Sequence, residues 1–128
     1  MVLPKHMRLK GHKCFDFIYK KGTRFYSSSM VLRVSNANSK LYFKGKNSQI
    51  KPFIKCAISI SNKVSKKSVT RNKLRRLFHQ HLAQRLSNMQ FDKDVWAFIS
   101  LKPSCIKNSD SNLLKECDKL LTKAGITQ

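Results

Sequence analysis

Alternation of apolar and polar positions is the clearest signal in the chain. From Phe53 to Ser61, Ile54, Cys56, Ile58 and Ile60 fall on one side, and Phe53, Lys55, Ala57, Ser59 and Ser61 on the other. That period of two predicts a strand, with Pro52 suited to its start. Asp94–Leu101 repeats it: Val95, Ala97, Ile99 and Leu101 oppose Trp96 and Phe98, so both faces of this strand are expected to be covered. Met30–Val34 is shorter, with Met30, Leu32 and Val34 against Val31 and Arg33.

Elsewhere the period lengthens to that of a helix. Phe15, Ile18 and Tyr19 recur at helical spacing over Gly11–Lys21, and Gly22 ends the segment. The spacing of Leu74, Leu77, Phe78, His81 and Leu82 predicts a long helix over about Ser68–Leu86, and Leu113, Leu114, Cys117, Leu120 and Leu121 predict another over Ser111–Lys123. Ser35–Ser48 is rich in Asn, Ser, Lys and Gly and reads mostly as loop, with a short strand at Leu41–Phe43. Residues 103–109 read as loop, and 1–10, basic and containing Pro4, as an arm. Residues 11–124 are expected to form one domain. The order α-β-β-β-α-β-α predicts an α+β fold: a two-layer α/β sandwich, with helices packed on a mixed sheet.

Charge changes the picture most. The 128 residues hold 27 Lys and Arg against 6 Asp and Glu, a formal net charge of +21. Most of these cations must lie at the surface without an ionic partner, and a polyanion relieves their mutual repulsion. Nucleic acid is the expected partner, since each phosphate neutralised releases counterions; a membrane surface is the weaker alternative. The segment Phe17–Phe91 holds 17 of the 27 bases and no acid at all. The positive field therefore belongs to the middle of the fold. The four cysteines show no C-x-x-C or Cys–His zinc spacing and read as reduced, buried or half-buried thiols of a cytoplasmic protein. No signal-like apolar run opens the chain, and no stretch reaches the ~20 apolar residues of a membrane span.

Little in the sequence suits catalysis by side chains. Without carboxylates the central region is not expected to hydrolyse by a carboxylate pair or to hold carboxylate-bound Mg²⁺. His79 and His81, two apart on a helix, diverge by about 160° and cannot share a metal. No catalytic residue and no metal site is assigned. The sharp feature is the basic loop and helix start, which carry Lys63, Lys66, Lys67, Arg71, Lys73, Arg75 and Arg76 without one acid. Asn72, Arg75, Arg76 and His79 lie opposite the apolar stripe, with Arg71 at its boundary. This helix has one face for the core and one for phosphates. A helix-turn-helix would need a preceding helix where this chain has a strand, so DNA is not expected.

Ser68-Val-Thr-Arg-Asn-Lys-Leu-Arg-Arg-Leu resembles the signature of the bacterial ribonuclease P protein subunit: Arg-Asn, two residues, then Lys/Arg-Arg. Arg8-Leu9 followed by Phe15, Tyr19 and Gly22, the strand Lys55–Lys63, and Val95–Leu101 resemble other parts of that family in order, so that the likeness spans about residues 8–122. It implies a subunit that assists a catalytic RNA in removing the 5′ leader of precursor tRNA, with broader substrate use. Mg²⁺ is expected at the RNA active site and no cofactor on the protein. It implies that Lys63, Lys66, Lys67, Arg71, Asn72, Lys73, Arg75, Arg76 and His79 face the catalytic RNA. A cleft between the first helix and the sheet, lined by Phe15, Tyr19, Arg33, Phe53, Lys55 and Ser59, would hold the leader, since aromatics and cations suit single-stranded RNA. The chain departs from the family's usual pattern in four places. Ser68 replaces Ala, Asn62-Lys63 replaces Lys-Lys, and His79-Gln80 replaces Arg-Glu. Arg33 stands where some members have an aromatic residue, which suits a phosphate better than a stacked base. A ribosomal protein, or another structural RNA binder of similar size and charge, is the alternative on composition alone.

Overall fold

The computed structural model describes residues 7–9, 12–36, 54–86 and 95–126. Three helices, α1 (His12–Lys21), α2 (Ser68–Leu86) and α3 (Asp110–Lys123), accompany four strands: β1 (Thr23–Tyr26), β2 (Met30–Asn36), β3 (Ile54–Ser59) and β4 (Val95–Leu101). The α+β class and the order α-β-β-β-α-β-α are those expected. One strand is not expected from the pattern. Thr23–Tyr26 pairs with β2, while the strand expected at Leu41–Phe43 lies outside the described residues. The loop expected over 103–109 contains a short 3₁₀ helix, Pro103–Lys107.

The sheet runs β1-β2-β4-β3 and is mixed. β1–β2 and β2–β4 are antiparallel, while β3 and β4, joined through α2, are parallel. The two strands with the strongest alternation thus lie side by side, β4 in the middle. Register carries the alternation across the sheet: Leu32 faces Ile99, which faces Ile58, and Arg33 faces Phe98, which faces Ala57.

The first face packs under α2 and α3. Leu74, Phe78 and Leu82 of α2 and Leu113, Cys117, Leu120 and Leu121 of α3 join Met30, Leu32, Ile54, Cys56, Ala97 and Ile99 in one buried cluster. Burial pushes the Cys56 and Cys117 thiols up to about 12, so both stay protonated and act as small apolar side chains. All four cysteines are buried and unbridged. His81, on the apolar stripe of α2, places Nε2 at 2.8 Å from Asp118 Oδ1 and ties α2 to α3. Ser109 caps α3 by accepting from the Asn112 amide.

The second face is covered only in part, by α1. Cys14 and Ile18 are buried with Leu9 and Trp96, and Phe17 meets Trp96 edge-on at 5.9 Å between centroids. Gly22 suits the end of α1 because it has no side chain. A Cβ there would lie 2.4 Å from the Ile18 carbonyl oxygen, which the Gly22 amide itself caps at 2.9 Å. Of the expected arm, 7–9 are described, and they belong to the body. Arg8 bridges Cys56 in parallel, the Leu9 amide donates to the Cys56 carbonyl, and Met7 and Leu9 are buried. These residues close the β3 edge of the sheet.

Candidate nucleic-acid interface

Two cationic surfaces emerge, on different sides of the molecule. The first is the outer face of α2 and the turn before it. Lys63, Lys66, Lys67, Asn72, Lys73 and Arg76 are exposed, and Arg71, Arg75 and His79 are half-buried, with Leu74 and Phe78 turned inward. Two of these residues also organise the surface. Arg71 donates through Nη1 to the Ser65 carbonyl at 2.8 Å, tying the turn to the helix, and Arg75 donates to Asn72 Oδ1 at 2.9 Å. The Arg-Asn pair thus sets the shape of the basic face, and each guanidinium keeps further donors for an anion.

His79 stands where this face meets the start of the chain. Burial holds its imidazole below the ordinary value of 6.5, and the charges of Arg8 and Arg75 press it lower. The ring is therefore neutral beside two cations. Arg8 is a member of this surface that the sequence pattern does not reveal. Its basic segment reads as an arm, and only the bridge to β3 brings it beside α2.

The second surface is the part of the sheet that α1 leaves open. Phe15 packs edge-on against Phe98, 5.6 Å between centroids, and is partly buried. Tyr19 is 53% exposed. Its ring lies over Arg33, with 4.2 Å from the guanidinium carbon to the centroid. Arg33 is only 8% exposed, although no carboxylate pairs with it among the described residues. Its Nη1 makes a long 3.4 Å bond to Ser100 Oγ, and its Nε is buried with no partner. Burying a cation so sparsely bonded is costly. The ring above it offsets part of that cost.

Lys55 lies on the same side of the sheet, level with Trp96, and Ser59 lies at the end of β3, level with Ser100. Phe53 lies outside the described residues. Arg24 joins this face because it stands opposite Arg33 across the β1–β2 pair. The sequence pattern does not reveal it, because β1 is too short and too polar to read as a strand. Among the described residues no group of three or more His, Cys, Asp or Glu side chains could hold a metal ion. Nor is any helix long and apolar enough to cross a membrane.

Comparison with known proteins places this architecture. The family model described as Ribonuclease P matches residues 3–125. The chain is 80% identical over 128 residues, all of both chains, to the ribonuclease P protein component of Prochlorococcus marinus strain NATL1A. It is 45% identical over 130 residues to that of Synechococcus sp. strain WH7803, with 98% of each chain covered. The fold is that of the Staphylococcus aureus RNase P protein, at TM-score 0.74 and 20% identity over 95% of this chain and 98% of that one. It is also that of the Thermotoga maritima protein, at TM-score 0.70 and 15% identity over 91% and 96%. A family match over nearly the whole length, and relatives of up to 80% identity over the full chain, lead to one conclusion: the chain belongs to the Ribonuclease P family.

Proposed function

We propose that this chain is the RNA-binding subunit of ribonuclease P, and that its two cationic surfaces take two different RNAs. Membership of the family carries a role in tRNA processing, as part of an endoribonuclease. In this reading the α2 face docks on the catalytic RNA. Lys63, Lys66, Lys67, Lys73 and Arg76 supply mobile charge, and Arg71 and Arg75 supply guanidinia held by Ser65 and Asn72. The cleft takes the single-stranded 5′ leader of precursor tRNA, with Tyr19 as a stacking platform and Arg33 beneath it as a phosphate donor. Holding the leader raises the local concentration of substrate at the RNA without touching the scissile bond, and so broadens the substrates used. In this reading the Mg²⁺ of the reaction belongs to the RNA. The assembly works in the cytoplasm.

One observation carries this reading: the nearly buried Arg33 guanidinium, lacking a carboxylate partner among the described residues, beneath Tyr19 on the side of the sheet away from the α2 cations. A site built that way awaits an anion. The test is reconstitution. Adding the protein to the catalytic RNA of the same organism is expected to stimulate 5′ cleavage of precursor tRNA at low Mg²⁺, and no stimulation would overturn the proposal. Tyr19→Ala with Lys55→Ala is expected to weaken binding of precursor bearing a leader but not of mature tRNA. Equal losses would remove the cleft from the account.

A further inference from the structure

We infer that Tyr26 and the lysine-lined groove beside it form a second single-stranded RNA subsite, which carries the leader onward from the cleft over the β1 edge of the sheet. The inference rests on the leader-binding reading above. Tyr26 closes β1, the edge strand, and is 57% exposed. By register it stands opposite Val31, one step along the face that carries Arg24 and Arg33. Lys102 places its ammonium 6.0 Å from the centre of the Tyr26 ring and is held there by the Ser27 carbonyl at 2.9 Å. An exposed tyrosine with an attendant cation thus occurs twice on one strip of surface: Tyr19 over Arg33, and Tyr26 beside Lys102. Large exposed aromatics are costly to hydrate, and a cation at the ring suits a stacked base on a phosphate chain.

Beyond Tyr26 the strip runs into a groove of about 470 Å³ between the β1–β2 turn and α3. Lys115, Lys119 and Lys123 line it at intervals of four, which places their ammonium groups in one row along α3. None has a carboxylate partner among the described residues. The one acid in the groove, Glu116, is already engaged. It accepts from Ser28 Oγ at 2.8 Å, from the Ser29 amide at 3.3 Å and from Asn108 Nδ2 at 2.9 Å. Three lysines against one saturated carboxylate leave the groove positive, and Asn112 adds an amide at its wall. A row of cations continuous with an aromatic platform fits an extended polyanion bearing flat bases, hence single-stranded RNA rather than a compact anion.

The experiment uses the protein assembled with its catalytic RNA and two precursors. One has a leader of about four nucleotides and the other about sixteen, the span of single-strand site sizes on compact domains. Tyr26→Ala is expected to weaken binding of the long-leader precursor at least about five-fold, the weak end of base–aromatic stacking. It leaves the short-leader precursor unchanged, and Tyr26→Phe retains full affinity. Lys115→Ala with Lys119→Ala is expected to flatten the salt dependence for the long leader alone. If neither leader length responds to these variants while Tyr19→Ala still discriminates precursor from mature tRNA, the second subsite is overturned and the cleft stands. Equal losses on both leaders would assign the groove to the catalytic RNA and overturn the inference too. If Tyr19→Ala fails to discriminate, the leader reading itself falls.

Discussion

Replacing Arg33 with methionine is expected to stabilise the isolated protein and weaken its hold on the leader. The guanidinium is 8% exposed, with Nε unpartnered and only a 3.4 Å bond from Nη1 to Ser100. An unsatisfied buried donor costs about 1–3 kcal/mol, and more when charged. Against that stand the stack under Tyr19, worth about 0.5–2 kcal/mol, and the weak Ser100 bond, about 0.5 kcal/mol. Methionine fills similar space and recovers about 0.3–1.5 kcal/mol by packing its sulfur on the Tyr19 ring. The desolvation term therefore wins, and the net gain is about 1 kcal/mol, or roughly 4 °C in Tm for a domain of this size. The cost falls on function. Losing a charge-assisted bond to a phosphate, about 1.5–3 kcal/mol, weakens binding of leader-bearing precursor by roughly ten- to a hundred-fold and leaves mature tRNA unaffected. Urea unfolding and paired binding titrations measure both halves. A fall in stability of more than about 1 kcal/mol at unchanged m-value would refute the account of Arg33 as an uncompensated cation. Unchanged discrimination between precursor and mature tRNA would refute its role.

Gly22→Ala is expected to destabilise by about 1–3 kcal/mol in urea unfolding, because the new methyl meets the backbone carbonyl oxygen of Ile18 at 2.4 Å; a change within about 0.5 kcal/mol would mean that the end of α1 relaxes around the methyl. Arg71→Ala with Arg75→Ala is expected to lower the salt slope of catalytic-RNA binding by roughly one for each phosphate left without its arginine, and an unchanged slope would remove α2 as the docking face. Burial, with Arg8 and Arg75, holds His79 below 6.5 in the free protein, and an RNA phosphate set among these cations favours the protonated ring. Catalytic-RNA affinity is therefore expected to rise as pH falls below 6.5, and His79→Gln to flatten that rise. Burial alone would raise the Glu116 carboxyl, but hydrogen bonds from Ser28, Ser29 and Ser27 outweigh it and hold the group below 4.5. A carboxylate lowered in the fold contributes stability above 4.5 that is lost as pH falls through its folded value, so Glu116→Gln is expected to lessen the acid sensitivity of unfolding.

Much of the architecture is local chemistry and is legible in the chain alone. The alternation of Ile54–Ser59 and Val95–Leu101, and the helical stripe of Leu74, Phe78 and Leu82, name strands and helix because backbone geometry imposes periods of two and 3.6 on whichever side chains must be buried. The acid-free segment and the Arg-Asn pair mark a basic face, because charge acts at long range and needs no fold to be counted. Pairing across distance lies beyond that reach. β1 is a strand because β2 offers it a partner, not because Thr23–Tyr26 carries a pattern. Arg8 joins the α2 face because its segment bridges β3, and Tyr26 shares a groove with the α3 lysines because the β1–β2 turn lies beside α3. Arg33 is the sharpest case. In sequence it is one cation among 27, and only the sheet beneath it and Tyr19 above it leave it buried without a counter-ion among the described residues. Burial of a charge is a property of its surroundings, and those exist only once the chain has folded.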